Sequence, residues 1–168
     1  RFIDFAPSLA LSRLLRTIGN LEYRTADYFR PNVDDQVDIS NMPLYADNSV
    51  DVFLCSHVLE HVPDDKAAMR ELFRVLKPGG FGIVMVPLVV GVTATHDDPA
   101  IATPEQRWRY YAQDDHLRLY GTHDFAAQLS AAEFTVRRLA RDYFGGEVFT
   151  RAGIADNSVL YVVEKSAA

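Results

Sequence analysis

Two histidines four residues apart with a glutamate between them, His57-Val-Leu-Glu60-His61, form the most chemically suggestive spacing in this chain. On a regular helix such a pair shares one face and can hold a zinc ion, with Glu60 as the base that activates a bound water and Glu133 as an imaginable third ligand. The flanking residues argue against that hydrolase reading. His57 directly follows an apolar run of strand length at 50–56, and Pro63 interrupts the chain two residues after His61. No metal is expected at His57 and His61. A second concentration of reactive side chains runs from His96 to Tyr120, with His96-Asp-Asp98, Trp108, Tyr110, Tyr111, Asp114-Asp-His116 and Arg118. This mixture of carboxylates, imidazoles and aromatic walls suits the orientation of a polar molecule. Asp115-His116 reads as a base with its orienting carboxylate. The plainer reading is packing, with the aromatic rings docked on a sheet and His116 hydrogen-bonded inside the segment. Arg118 either pairs with Asp115 or binds an anion. Cys55, the one cysteine, has no basic neighbour except His57 and reads as a buried, inert thiol.

The elements that hold these groups alternate along the chain. Residues 1–6 read as a strand. A helix follows from Ser8, with Leu11, Leu14, Leu15 and Ile18 at helical spacing and Gly19-Asn20 as its stop. Strands are expected at 21–26, 36–39 and 50–56. Pro63-Asp64-Asp65 opens an amphipathic helix capped by Asp64, with Ala68, Met69, Leu72, Val75 and Leu76 on one side. Lys77-Pro78-Gly79-Gly80 ends it before a buried strand at 81–88. Helices at 104–111 and 125–132 follow, then strands at 134–142 and 159–165 joined by a glycine-containing loop. Strands alternating with helices predict an α/β fold, a mostly parallel sheet with helices on both faces and an antiparallel edge.

Composition is consistent with one globular domain over residues 1–168: 48% of residues are hydrophobic and 24% charged. The net charge of −6 gives no global attraction to nucleic acid. The dense apolar stretch at 83–90 is too short to span a bilayer. With one cysteine and no signal peptide in view, a cytoplasmic setting is expected.

Leu76-Lys-Pro-Gly-Gly80 after Val58-Leu-Glu-His-Val-Pro-Asp-Asp65 and an amphipathic helix resembles the class I, Rossmann-like S-adenosylmethionine-dependent methyltransferases. Asp47-Asn-Ser-Val-Asp-Val-Phe53 resembles their lead-in to the fourth strand. Within the family, a subgroup is similar in its Phe-Ala-Pro turn after the first strand and in the segment Asp115-His-Leu-Arg-Leu-Tyr-Gly121. The usual glycine-rich turn is replaced here by Phe5-Ala6-Pro7-Ser8. Pro7 offers no N–H, and neither Ala6 nor Pro7 favours positive φ. The resemblance also implies a helical segment ahead of the first strand, which begins here almost at Arg1.

What the resemblance implies for the site is specific. S-adenosylmethionine is the expected cofactor, seated beyond the carboxyl ends of the strands where strand order reverses. Asp27 is expected to accept from the ribose diol; otherwise it is a turn aspartate. Asp38 is expected at the adenine amino group and Ile39 against the ring, or else Asp38 is a loop residue. Phe5, Ala6 and Pro7 border the methionine end together with Ser56 and His57, the latter being equally readable as a residue that closes a turn. Methyl transfer asks mainly for in-line placement of the acceptor. The implied function is therefore transfer to a small-molecule acceptor, with Asp115 and His116 on the acceptor side and no nucleic-acid or membrane partner. A catalytically silent binding module on the same fold is the alternative. The zinc hydrolase is a more distant one, and a nicotinamide oxidoreductase is weaker still for want of a G-x-G-x-x-G after the first strand.

Overall fold

The computed structural model describes residues 1–88 and 91–167, so the end of the apolar stretch read at 83–90 (Val89 and Val90) lies outside the described residues. The strands are β1 (Phe2–Phe5), β2 (Tyr23–Asp27), β3 (Asp35–Gln36), β4 (Val50–Ser56), β5 (Leu76–Met85), β6 (Thr135–Leu139) and β7 (Leu160–Glu164). They form one sheet in the order β3-β2-β1-β4-β5-β7-β6. β1 to β5 pair in parallel, and β7 runs antiparallel between β5 and the edge strand β6. The helices are α1 (Leu9–Leu15), α2 (Asp65–Val75), α3 (Pro104–Tyr111), α4 (Thr122–Ala131), α5 (Arg141–Phe144) and α6 (Gly146–Ala152). This is the mostly parallel, Rossmann-like α/β sheet with an antiparallel edge. No helix among the described residues is long and apolar enough to cross a membrane.

On the central strands one face is fully buried and the other only partly covered, with Val52, Leu54 and Ile83 half-buried and Phe81 40% exposed. Ile3 and Phe5 of β1, Phe53 and Cys55 of β4 and Val84 of β5 all belong to the core. Burial pushes the Cys55 thiol far above its ordinary pKa, which leaves it inert. A Cβ on Gly82 would lie 2.1 Å from Cζ of Phe53, so this glycine is what lets the ring lie against β5. Helix α2 is set by local chemistry. The Asp64 carboxylate accepts from Ala67 N–H at 2.8 Å, and Ala68, Met69, Leu72 and Val75 are buried.

Several boundaries differ from those read in the sequence. Lys77-Pro78-Gly79-Gly80 is not a turn between helix and strand. β5 starts at Leu76, opposite Val50, and the register then shifts between Val50 and Val52. Pro78 and Gly79, at φ 78°, occupy that irregularity, where a missing N–H and a left-handed residue are tolerated. β3 is the pair Asp35–Gln36 rather than 36–39. The loop between β6 and β7 contains α5 and α6. α1 is capped by Ser8, whose Oγ accepts from Leu11 N–H, but none of its residues is buried, so its leucines do not form the core face that their spacing suggested.

Candidate functional site

Strand order reverses between β1 and β4, which diverge to opposite halves of the sheet and leave a crevice at their carboxyl ends. A cleft of about 530 Å³ opens there, within the size range of small-molecule sites. Its walls come from the ends of four strands and the loops behind them. Phe5 and Ala6 end β1, Asp27 to Arg30 follow β2, Val37 to Ile39 follow β3, and His57 and Val58 follow β4. His61 to Pro63 and Asp115 close the side. A larger groove of about 710 Å³ lies along α6, but it is lined by Arg141, Gly146, Glu147, Val148, Thr150 and Arg151 and gathers none of these groups.

Of the residues singled out in the sequence, Phe5, Ala6, Asp27, Asp38, Ile39, His57 and Asp115 all line this one cleft. Pro7 is buried behind it, and its carbonyl accepts from Nη1 of Arg30 at 2.9 Å. Ser56 is the last residue of β4, opposite Met85, and is not part of the lining. Oδ1 of Asp27 accepts from the N–H groups of Phe29 and Arg30 at 2.8 and 2.9 Å, and Oδ2 lies 3.5 Å from Arg30 Nε. One oxygen of Asp27 thus builds the turn, and the other keeps free lone pairs. Asp38 likewise holds a turn, accepting from the N–H and Oγ of Ser40 at 2.8 and 2.7 Å, while Ile39 is buried beside it. Arg30 and Val37 were not anticipated. Nothing in the sequence marks Arg30 as the side chain that ties the loop after β2 to the loop after β1.

The acidic, aromatic segment after β5 is arranged differently from its sequence reading. His116 is only 6% exposed, and its Nδ1–H donates to the Tyr111 carbonyl at 3.0 Å. Asp115 does not orient it. The Asp115 carboxylate turns instead to His61, 3.3 Å from its Nδ1. Adjacent residues in an irregular segment point apart, and that separates the expected pair. Arg118 neither pairs with Asp115 nor faces the cleft. Its buried guanidinium donates to Asp97 and to the carbonyls of Leu59, Val62 and Pro63. Tyr111 is buried, whereas Trp108 is 63% exposed.

The H-x-x-E-H spacing does not form the hydrolase arrangement. His57 has φ 55°, which breaks any helix there, and only Leu59–His61 forms a 3₁₀ turn. Glu133 lies in a different pocket with Asn48 and Lys165. The carboxylate of Glu60, 3.3 Å from His57 Nδ1, raises the imidazole pKa above its ordinary value.

The first loop keeps a left-handed residue even without glycine. Ala6 has φ 53°, and its N–H donates to the Ala26 carbonyl at 2.9 Å. An L-residue in this region is disfavoured by about 1–2 kcal/mol, while glycine carries an extra unfolded-state entropy of about 0.5–1 kcal/mol. Ala6→Gly should therefore stabilise the protein by about 0.5–1 kcal/mol in chemical denaturation, against the usual sign of that substitution. A loss of stability would show that the left-handed turn is not populated.

Comparison with known proteins agrees with this architecture. Residues 12–84 match the family described as Methyltransferase domain. An uncharacterized methyltransferase of Mycobacterium sp. (strain KMS) is 42% identical over 53 residues, which is 32% of this chain and only 21% of that protein's length. Among solved structures, an S-adenosylmethionine-dependent methyltransferase from Mesorhizobium loti superposes with a TM-score of 0.63 at 14% identity, covering 97% of this chain and 89% of that one. The Burkholderia thailandensis 1,6-didemethyltoxoflavin-N1-methyltransferase, solved with S-adenosylhomocysteine and 1,6-didemethyltoxoflavin, gives a TM-score of 0.62 at 14% identity over 98% of this chain and 71% of that one. The family match covers β2 and most of β5 but less than half of the chain, and the likeness to solved methyltransferase structures extends over the whole sheet, so the chain has the Rossmann-like fold of the class I methyltransferases and is similar to that family over residues 12–84.

Proposed function

We propose that this chain binds S-adenosylmethionine in the cleft between the ends of β1 and β4 and transfers its methyl group to a small-molecule acceptor. The observation that carries the reading is the convergence of a carboxylate after β2 (Asp27), a carboxylate with an apolar neighbour after β3 (Asp38 and Ile39) and a polar β4 end (His57) on one cleft. Those groups match in order the ribose diol, the adenine and the amino acid end of the cofactor. The free oxygen of Asp27 accepts from the diol, Asp38 from the adenine amino group, and Ile39 packs on the ring. Phe5, Ala6 and His57 border the methionine end, with Pro7 and Ser56 supporting it from outside the lining. The left-handed Ala6 preserves the turn that glycine ordinarily supplies, which favours a working site over a silent binding module. When bound, the cofactor supplies an activated methyl carbon. The protein's part is to hold the acceptor in line with it and to exclude water. Asp115 stands with His61 in the wall of the cleft that we assign to the acceptor. His116 supports that side from behind.

Titration calorimetry with S-adenosylhomocysteine tests this directly. Saturable binding is expected, and Asp27→Ala should weaken it by about 1.5–3 kcal/mol, the worth of a charge-assisted hydrogen bond. An absence of heat at millimolar ligand would overturn the reading. Unchanged affinity in Asp27→Ala would move the ribose to another residue. Binding without transfer to any acceptor would leave the binding module.

A further inference from the structure

We propose that Glu60, His61 and His116 form a binding site for a divalent first-row transition ion in the wall of the cleft. One donor atom from each of the three lies within 4.8 Å of the others. Glu60 carries the argument. It is 1% exposed, and neither carboxylate oxygen has a hydrogen-bond partner among the described residues. The His57 Nδ1 at 3.3 Å is within ion-pair range of Oε1 but is not aligned as a hydrogen bond. A buried carboxylate with one imidazole in ion-pair range and no aligned hydrogen bond is disfavoured, and a bound cation reduces that penalty.

The two histidines are already disposed as ligands. The Nδ1 of His61 faces Asp115 and the Nδ1 of His116 donates to the Tyr111 carbonyl, so in each ring Nε2 is the nitrogen left with a free lone pair. Outer carboxylate and carbonyl partners of this kind fix the tautomer and direction of metal-binding imidazoles. The rings lie with centroids 4.8 Å apart, edge to face. The segment that brings His116 here is locked down by the Leu117 N–H donating to the Glu60 carbonyl at 2.8 Å. Oxygen and nitrogen ligands at about 2.0–2.2 Å from one ion stand roughly 3.0–3.5 Å apart, so the three side chains need draw in by only about 1 Å. Two imidazoles and one carboxylate favour zinc, iron, cobalt or manganese over magnesium or calcium, and leave coordination positions open.

This departs from the expectation that no metal would bind here. It differs from the H-x-x-E-H hydrolase arrangement because Glu60 is a ligand and His116 takes the place of His57. His61 also lines the cleft, so an open position on the ion faces the space proposed for the acceptor. The ion's catalytic role rests on the proposed methyl transfer. An ion held by Glu60, His61 and His116 would supply Lewis-acid activation of an acceptor hydroxyl, easing loss of its proton to solvent before its oxygen takes the methyl group, the carbon–sulfur electron pair going to sulfur.

The test is to strip the chain with chelator and titrate it with cobalt(II), following visible ligand-field absorbance and the unfolding temperature. One equivalent should bind with a rise in unfolding temperature. His61→Ala and Glu60→Gln should each abolish stoichiometric binding. Asp115→Asn, which touches only the outer side of His61, should weaken it about 10–100-fold. Circular dichroism checks folding, and the partly exposed His61 remains decisive if Glu60→Gln fails to fold. No saturable binding at millimolar cobalt(II), or binding that survives His61→Ala, would overturn the proposal. Titrating the metal-free protein with S-adenosylhomocysteine separates failure of the ion site from failure of the methyl-donor site.

Discussion

Replacing Arg118 with methionine should destabilise the protein by about 3–5 kcal/mol, the range for breaking one side of a buried charged network. The guanidinium is 4% exposed and donates to the carbonyls of Leu59, Val62 and Pro63 at 3.1, 2.5 and 3.0 Å. It also donates to Asp97 at 2.9 Å and lies 3.5 Å from Asp65. Methionine fills much of the stem's volume but leaves three carbonyls and Asp97 without this donor and removes the positive charge beside Asp65. Tyr120, whose hydroxyl donates to Asp65 at 2.5 Å, would remain but could not replace the planar fork. Denaturant unfolding measures the loss, and lysine, which restores the charge without the fork, should recover only part of it. A loss below about 1 kcal/mol would mean that the turn at 59–63 holds its shape without this residue.

That clamp shows where sequence reading stops. The parallel strands were legible because mostly apolar runs of strand length such as Val50–Ser56 alternate with helical patterns along the chain, the order that a parallel sheet requires. α3 was legible to the residue, since Thr103 and Gln106 form a capping box and Pro104 occupies the first turn. α5 and α6 were not, because helices of four and seven residues carry too few turns to show a period. The boundaries of β3 and β5 depended on pairing partners far along the chain, Ala26 and Val50 respectively.

The site divides in the same way. Asp27, Asp38 and His57 could be brought together from topology alone, because residues after adjacent parallel strands emerge at one edge. Contacts that depend on side-chain direction in irregular chain could not. Asp115 facing His61, Arg118 facing three carbonyls, and Glu60 buried among imidazoles have no period or motif to announce them. Charge and residue type suggested a reactive segment, and packing decided which of its members reach the cleft.

The two-residue strand β3 is too short to hold itself by backbone pairing, so side-chain contacts anchor the cleft wall that follows it, and the most buried of these is the ion pair of Asp35 with Arg24. Asp35 is 6% exposed, and its carboxylate accepts from Nε of Arg24 at 2.7 Å and from the Tyr45 hydroxyl at 2.8 Å, with a second contact from Arg24 Nη2. The Arg24 hydrogen bonds hold the Asp35 pKa below its ordinary value. A depressed folded-state pKa gives stability that is present above the unfolded carboxylate value, about 3.9, and is lost as pH falls through the lower folded value. Asp35→Asn should remove that acid limb. At neutral pH it should destabilise the protein by about 3 kcal/mol, the low end for a broken buried pair, because Arg24 keeps access to water. Since Val37, Asp38 and Ile39 leave directly from this strand into the cleft, the same variant should also bind S-adenosylhomocysteine more weakly. Unfolding curves measured from pH 3 to pH 7 on both proteins decide the matter. If the acid limb persists in Asp35→Asn, the carboxylate that titrates is another one, and β3 is anchored by something other than Arg24.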